Sequence, residues 1–421
     1  MNIHAKPQLT QAETALVDGF AGLCASLPGD RAVAAKRAEA VERLKCGLPT
    51  RRVEAWHYTD LRRLLSVVPA QMPAAKAKSV TPLLDGSAVL PVFNGSAGTA
   101  ASLDGVAATR LREKLIGGSL APALGARDAD DAIGAINTAY LSDGWFLDIA
   151  PNASLTPAIE LQNLQAGGQA HVRFAARIGD GARATIVERH AGSGDALVSS
   201  VVNLVVGDRA DVTWLILQQQ PVGATHLGQF NAWIGKDASL TLCLLNSGGK
   251  LVRQEIRVSA KGDGGRFRLR GANLLTGDTH CDVAVVLEHE SPHATSTQIV
   301  RNVVMQQASG AFQGRINVHQ AAQKTDARMA CNTLLLSPEA EFSAKPELEI
   351  YADDVLCGHG ATIADILPEH LFYLRARGIP ERQARAMLVH GFVEDTFSDI
   401  EDETLRDALI GQIENWLDRN G

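Results

Sequence analysis

The 421-residue sequence predicts a mainly β protein, a parallel β-solenoid (β-helix) flanked by α-helical regions at both ends. Three observations carry that reading. A short segment recurs at a fixed interval through the middle of the chain. No ten-residue helical pattern separates the copies, so βαβ crossovers are not expected. Both ends show apolar residues at helical spacing.

The repeat is Ile178-Gly-Asp-Gly-Ala-Arg-Ala-Thr-Ile186, which returns as Val206-Gly-Asp-Arg-Ala-Asp-Val-Thr-Trp214 and as Ile234-Gly-Lys-Asp-Ala-Ser-Leu-Thr-Leu242, each step being 28 residues. A looser copy, Gly265-Arg-Phe-Arg-Leu269, follows. In each copy a glycine-containing turn precedes a strand of period-two alternation. Ala184, Val212, Leu240 and Phe267 then fall in one column, and Ile186, Trp214, Leu242 and Leu269 in the next. A coil of this kind cannot bury its inner face alone; stacking coils about 4.8 Å apart gives a continuous core. Residues 157 to about 356 are read as this solenoid, with an antiparallel sandwich as the competing arrangement. Its two ends carry unpaired backbone groups and need a cap or a partner. The helical tail is expected to cover the end near Cys357.

The N-terminal region opens on Thr10-x-x-Glu13, a capping box, followed by Leu16, Phe20, Leu23, Cys24 and Leu27 at helical spacing. Pro28-Gly29-Asp30 stops this helix, and Asp30 can cap a second one ending near Gly47. Gly47 to Thr59, with Trp56 and Tyr58, reads as an ordered loop whose aromatics pack on another element. Residues 67–85 are rich in Pro, Ala and Lys and read as a flexible connection. Residues 86–150 are hard to assign, although Ala88–Phe93 and Trp145–Ile149 have strand character. In the tail, Pro368 opens a helix stopped by Gly378 and Pro380 begins the next. That second helix carries Ala384, Met387, Leu388 and Phe392. A third carries Leu405, Leu409, Ile413, Trp416 and Leu417 on one stripe. The expected division is 1–85 for the N-terminal helical region and linker, 86–364 for the β-helix core, with the first strands over 86–156 left open, and 365–421 for the C-terminal helical domain.

Composition limits the function classes. With 46% hydrophobic and 21% charged residues the chain can bury a large core. A net charge of -7 argues against a general nucleic-acid binder. From Asp365 onward twelve acidic residues face six basic ones, so the tail holds most of the imbalance. The six cysteines, Cys24, Cys46, Cys243, Cys281, Cys331 and Cys357, form no Cys-x-x-Cys pair and fit a reduced, cytoplasmic protein. No signal core and no apolar run approaching ~18 residues is present, so neither secretion nor a membrane span is expected. No phosphate loop occurs; Ser247-Gly-Gly-Lys250 lacks its length and its hydroxyl residue. Asp353-Asp354 is a poor glycosidase pair, because adjacent strand residues face opposite ways. His280, His289, His293 and His319 are read as ordinary polar or packed histidines.

The stretch from Lys345 to Thr362 joins the strand-like middle to the helical tail. Read as one extended strand, Leu348, Ile350, Ala352, Asp354 and Leu356 point to the core. Glu347, Glu349, Tyr351, Asp353, Val355, Cys357 and His359 point outward. That places a thiol and an imidazole two residues apart on a surface lined with carboxylates. Thiolate and neutral imidazole suit iron and zinc, but two ligands do not close a site. A β-helical carbohydrate-active enzyme and a zinc-stabilised structural solenoid are the alternatives from other classes.

Four stretches, GLPTRRVEAWHYTDLR (47–62), the repeats, KPELEIYADDVLCGHGAT (345–362) and LFYLRARGIPERQARAMLVHGF (371–392), together resemble the SufB/SufD family of iron–sulfur cluster assembly subunits, on its SufD side. The resemblance runs in order from about residue 47 to about residue 400. It implies a right-handed β-helix core between helical regions, and a non-enzymatic scaffold subunit of the SufBCD complex. The implied partners are a SufB-like paralogue, met through the β-helix, and the SufC-like ABC-type ATPase, met through the C-terminal helices; some members form SufD homodimers. The implied cargo is a transient iron–sulfur cluster shared with SufB, with no cofactor expected in the isolated chain. The family's functional histidine falls on His359. Cys357 matches the motif's cysteine, and Cys331, on the preceding strand, is a weak further candidate. Gly360 stands where the SufB-type motif has Glu, which puts a carboxylate ligand there in doubt. The SufC contact falls on residues 366–395, with Leu371, Phe372, Tyr373, Arg377 and Gly378 as candidates.

Overall fold

The computed structural model describes residues 8–72 and 79–420. From Ile159 the chain winds as a β-solenoid of about eight turns. One face stacks Asp211–Gln219, Ser239–Asn246, Arg266–Leu275, Thr295–Val304, Asp326–Leu335 and Leu356–Ala364, each parallel and in register with its neighbour. The other stacks Thr225–Ile234, Leu251–Ala260, His280–His289, Ser309–Val318 and Glu341–Ile350 in the same way. The columns expected from the repeat are present: Ile186, Trp214, Leu242 and Leu269 are successive partners, as are Ala184, Val212, Leu240 and Phe267. All eight lie in one interior cluster.

The turn chemistry of the repeat has a backbone cause. The third residue of each turn takes a left-handed conformation: Gly181 (φ 68°), Arg209 (φ 56°), Asp237 (φ 53°) and Gly264 (φ 69°). Each donates its amide to a carbonyl of the next coil, Gly181 to Asp208, Arg209 to Lys236 and Asp237 to Asp263, all at 2.8 Å. The turns therefore stack as the strands do, and the repeat is the period of that stack.

Ala88–Phe93 is a strand paired in parallel with the start of Ile159–Ile178, and Asp143–Ile149 pairs with its end. The region left open also contains a helix the pattern did not reveal, Ala132–Tyr140, buried throughout. Its Asn137 donates to the carbonyl of Val172 at 2.8 Å and accepts from Arg173 at 3.1 Å. Part of the connection expected over 67–85 lies outside the described residues.

Both outer faces of the solenoid are apolar in places, and the helices cover them. Leu197, Val201, Leu227 and Leu251 are sealed by Gln11–Leu23, Arg31–Leu44 and Ala132–Tyr140. The capping box is formed: Thr10 Oγ1 accepts from the Glu13 amide at 3.2 Å and the Glu13 carboxylate accepts from the Thr10 amide at 2.7 Å. The loop from Gly47 to Thr59 is a clamp. Trp56 is fully buried beneath the Arg253 guanidinium, 4.6 Å from its ring centroid. Thr59 donates to Asp282 at 2.5 Å and lies 2.9 Å from His280 Nε2.

On the opposite side Leu215, Leu217, Cys243, Leu245, Ala272, Leu274 and Val303 are covered by Val389 and Val393 of Glu381–Glu394 and by Leu405, Leu409, Ile413 and Trp416 of Glu403–Asn420. Arg270 donates to Asp399 through Nε at 2.8 Å and Nη2 at 2.5 Å. This corrects the expectation that the tail caps the solenoid's end: it lies along the side, because the apolar surface that needs covering is there. Met387, on the same helix as Val389 and Val393, is exposed.

Buried histidines give the fold an acid limit. Burial holds His171 down to about 3 and His289 down to about 4. Both are neutral in the folded chain and take up a proton more readily unfolded, near pH ~6.5. Their contribution is complete above that pH and is lost as pH falls toward 4, by up to about 1.4 kcal/mol per unit for each group. Melting temperature should therefore fall through this window. His289→Gln, which can keep the contact to Ser296, should flatten the slope in thermal melts between pH 6.5 and 4.

Candidate functional site

The last strand, Leu356–Ala364, is where the solenoid stops. It pairs with Asp326–Leu335, setting Cys357 over Ala327, His359 over Met329 and Ala361 over Cys331. Ala327, Met329 and Cys331 are buried interior residues. Partners in a parallel ladder point the same way, so Cys357 and His359 occupy inward columns. The expected outward placement is thus corrected. The chain does not run as one strand from Lys345; it turns over residues 351–355, between Glu341–Ile350 and Leu356–Ala364. The turn resets the alternation, and Leu356, expected in the core, is exposed instead.

Among the described residues, nothing is stacked above the inward column of the last coil. His359 is exposed, whereas Cys357 is half-buried against the interior cluster. Their Cα atoms, two apart on one strand, are about 7 Å apart with side chains parallel. Burial pushes the Cys357 thiol pKa up and Asp326 adds to this, opposed by a hydrogen bond from the Ala327 backbone. A Cβ at Gly358 or Gly360 would meet nothing within 4 Å, so the strand's outer side is also open to close approach.

Cys331 does not join the pair. It lies one coil deeper, under Ala361, fully buried. Its thiol is pushed up to about 12 by burial, and Asn302 Nδ2 approaches its sulfur at 3.4 Å. Of the carboxylates expected outward, Glu347 is engaged with Lys345 at 3.0 Å and Glu349 with Arg315 at 3.7 Å; Asp354, expected toward the core, is exposed and paired with Lys324. Among the described residues, no group of three or more His, Cys, Asp or Glu side chains is arranged to hold a metal ion. The pair is an incomplete ligand set on an open end. The four histidines read as ordinary polar or packed residues have protein partners: His280 with Thr59 and Ser309, His289 with Ser296, His293 with Asp263 and His319 with Glu288.

A second exposed feature follows the last strand. The helix Pro368–Ala376 buries none of its residues. Phe372 is 74% exposed and Tyr373 58%, while Leu371 is half-buried. Arg377 lies over the Tyr373 ring at 5.2 Å and donates to its hydroxyl at 3.1 Å, and Gly378 ends the helix at φ 83°. Two adjacent aromatics are thus left in solvent on this surface helix. No helix among the described residues is long and apolar enough to cross a membrane.

Fold and surface together define a class: a helix-flanked β-solenoid with an open terminal coil. Comparison with known proteins gives the family. The SufBD core domain of the SUF system for FeS cluster assembly matches residues 161–392, and the chain belongs to that family. It is similar to the iron–sulfur cluster assembly protein SufD of Escherichia coli (strain K12), at 28% identity over 389 residues, covering 88% of this chain and 89% of the relative. A SufBD family protein of Synechocystis is 28% identical over 403 residues, covering 86% of each chain. SufD of Bacillus subtilis (strain 168) is 25% identical over 290 residues, covering 66% of this chain and 65% of the relative.

Thiol accessibility checks this geometry. Cys24 and Cys46 are exposed, Cys357 is intermediate, and Cys243, Cys281 and Cys331 are buried. In the native chain a maleimide should label Cys24 and Cys46 fastest, Cys357 more slowly, and the buried three only on unfolding. Rapid native labelling of Cys331 would contradict the placement.

Proposed function

We propose that this chain is a SufD-type scaffold subunit of a SufBCD-like complex in the reducing cytoplasm. It works without catalytic residues of its own. Its solenoid pairs with a SufB-like paralogue through the open last coil and the free edges of Glu341–Ile350 and Leu356–Ala364. The C-terminal helices over 366–395 receive a SufC-like ABC-type ATPase, with Leu371, Phe372, Tyr373, Arg377 and Gly378 in the contact. The iron–sulfur cluster is cargo. His359 supplies an imidazole to it at the interface, Cys357 stands next to it as a second donor, and the partner supplies the remaining thiolate and carboxylate ligands.

The observation that carries this reading is the coincidence of an incomplete ligand pair with an uncovered coil. A lone imidazole and thiol cannot hold a cluster, and an uncovered parallel edge invites another strand. Meeting a second solenoid there would satisfy both needs at once. Family membership supports cluster assembly over the carbohydrate-active and zinc-stabilised alternatives. Cys331 plays no direct part while the last coil stays in place.

Co-purification with SufB- and SufC-type homologues, followed by anaerobic iron and sulfide analysis, tests the proposal. His359→Ala should assemble normally and melt within roughly 0.5 kcal/mol of the native chain, as a surface change does. It should nevertheless carry much less iron and sulfide. Equal cluster content in both would remove His359 from cluster building. Failure to form any complex, or assembly only with a second copy of this chain, would count against the pairing. Separately, Phe372→Ser should weaken ATPase binding about tenfold or more, as loss of an aromatic anchor does, while leaving the melting temperature unchanged.

A further inference from the structure

The solenoid interior is not uniformly apolar. Along one corner, successive coils place Asn163, His190, Gln218, Asn246, Asn273, Asn302 and Thr333 in a single inward column. Its later half is zipped. Asn246 donates to Asn273 and Asn273 to Asn302, both at 2.7 Å, and Asn302 donates to Thr333 at 3.0 Å.

The earlier half is different. Glu188 is satisfied, accepting from His190 at 2.8 Å, Ser200 at 2.9 Å and Trp214 at 3.1 Å. Around it, both amide atoms of Gln165, Gln218 and Gln220 and both ring nitrogens of His226 have no well-formed hydrogen bond to any described protein group. These four side chains are 0–2% exposed. The His226 ring lies 4.6 Å from that of His190, and Gln254 lies close by. Burial keeps His226 neutral, so it offers one donor and one acceptor.

Glycines let these side chains close in on the backbone here. Gly192 faces Gln165 on the preceding coil, and a Cβ on it would lie 2.7 Å from Gln165 Nε2. A Cβ at Gly228 would lie 2.1 Å from Gln254 Oε1 and 2.8 Å from His226 Nε2. Buried polar groups without partners are rare because each costs on the order of 1–3 kcal/mol. Gln298, farther along the solenoid, also has both amide atoms unmatched, but it stands apart, whereas Gln165 on the first coil and Gln218, Gln220 and His226 on the third gather at one corner.

We propose that the first coils enclose an internal chamber, walled by Gln165, His190, Gln218, Gln220, His226 and Gln254, that binds small neutral hydrogen-bonding molecules and holds ordered water in the resting protein. The requirement is for ligands that both donate and accept, which water meets with two to four bonds.

A high-resolution crystal structure of the full chain is the direct test, with water as the probe. Ordered density bridging at least two of Gln218, Gln220 and His226 is the expected result. Direct pairing of these side chains, with no density between them, would overturn the proposal. The sign of a stability change gives an independent check. If water completes these bonds, Gln218→Met strands it and should lower the melting temperature by about 2 °C or more. If the site is dry, the same change removes an unmatched amide and raises it. A rise, or no change, would overturn the proposal.

Discussion

Everything in this molecule depends on in-register stacking of one coil on the next. Each coil offers its neighbour a row of backbone donors and acceptors and a row of inward side chains. The stack satisfies both only while another coil follows. Where it ends, after Ala364, the inner columns and the strand edge are left uncovered together. The Cys357–His359 pair stands at that point, so its exposure and its shortage of ligands have one origin.

The helices follow from the same arrangement. A solenoid has an inner core that stacking buries and outer faces that stacking leaves in water. Here those faces carry Leu197, Val201, Leu227 and Leu251 on one side and Leu215, Cys243, Leu245 and Ala272 on the other. Each apolar patch draws a helical region, and the polar clamps fix its position: Thr59 on Asp282 and His280, Arg270 on Asp399. The terminal coil carries Gly358, Gly360 and Thr362 on its outer side and receives no such cover from the described residues. The helix Pro368–Ala376 leaves with its aromatics unburied, which extends the free surface beyond the solenoid.

Most of the core was legible in the sequence because a solenoid is a local rule repeated. The spacing of Ile178, Val206 and Ile234 fixes the coil, and the turn residues Gly181, Arg209 and Asp237 share one backbone state. The columns of Ile186 and Ala184 follow from that. The helix Ala132–Tyr140 was not legible: buried all round, it shows no amphipathic period. The placement of the tail was not legible either. Leu405, Leu409, Ile413 and Trp416 announce a packed stripe without saying which surface receives it.

At the candidate site, the residue types and their spacing were set by the sequence, and so was family membership. Which way they faced was not. Period-two alternation predicts a face only while the chain stays extended, and five residues of turn at 351–355 shift the count. Only the register of Leu356–Ala364 on Asp326–Leu335 shows that Cys357 and His359 continue the inner columns, with Cys331 sealed one coil below. Composition determined what could bind; the end of the stack decided what is open to bind it, because exposure belongs to a neighbour's absence and no residue's identity encodes that.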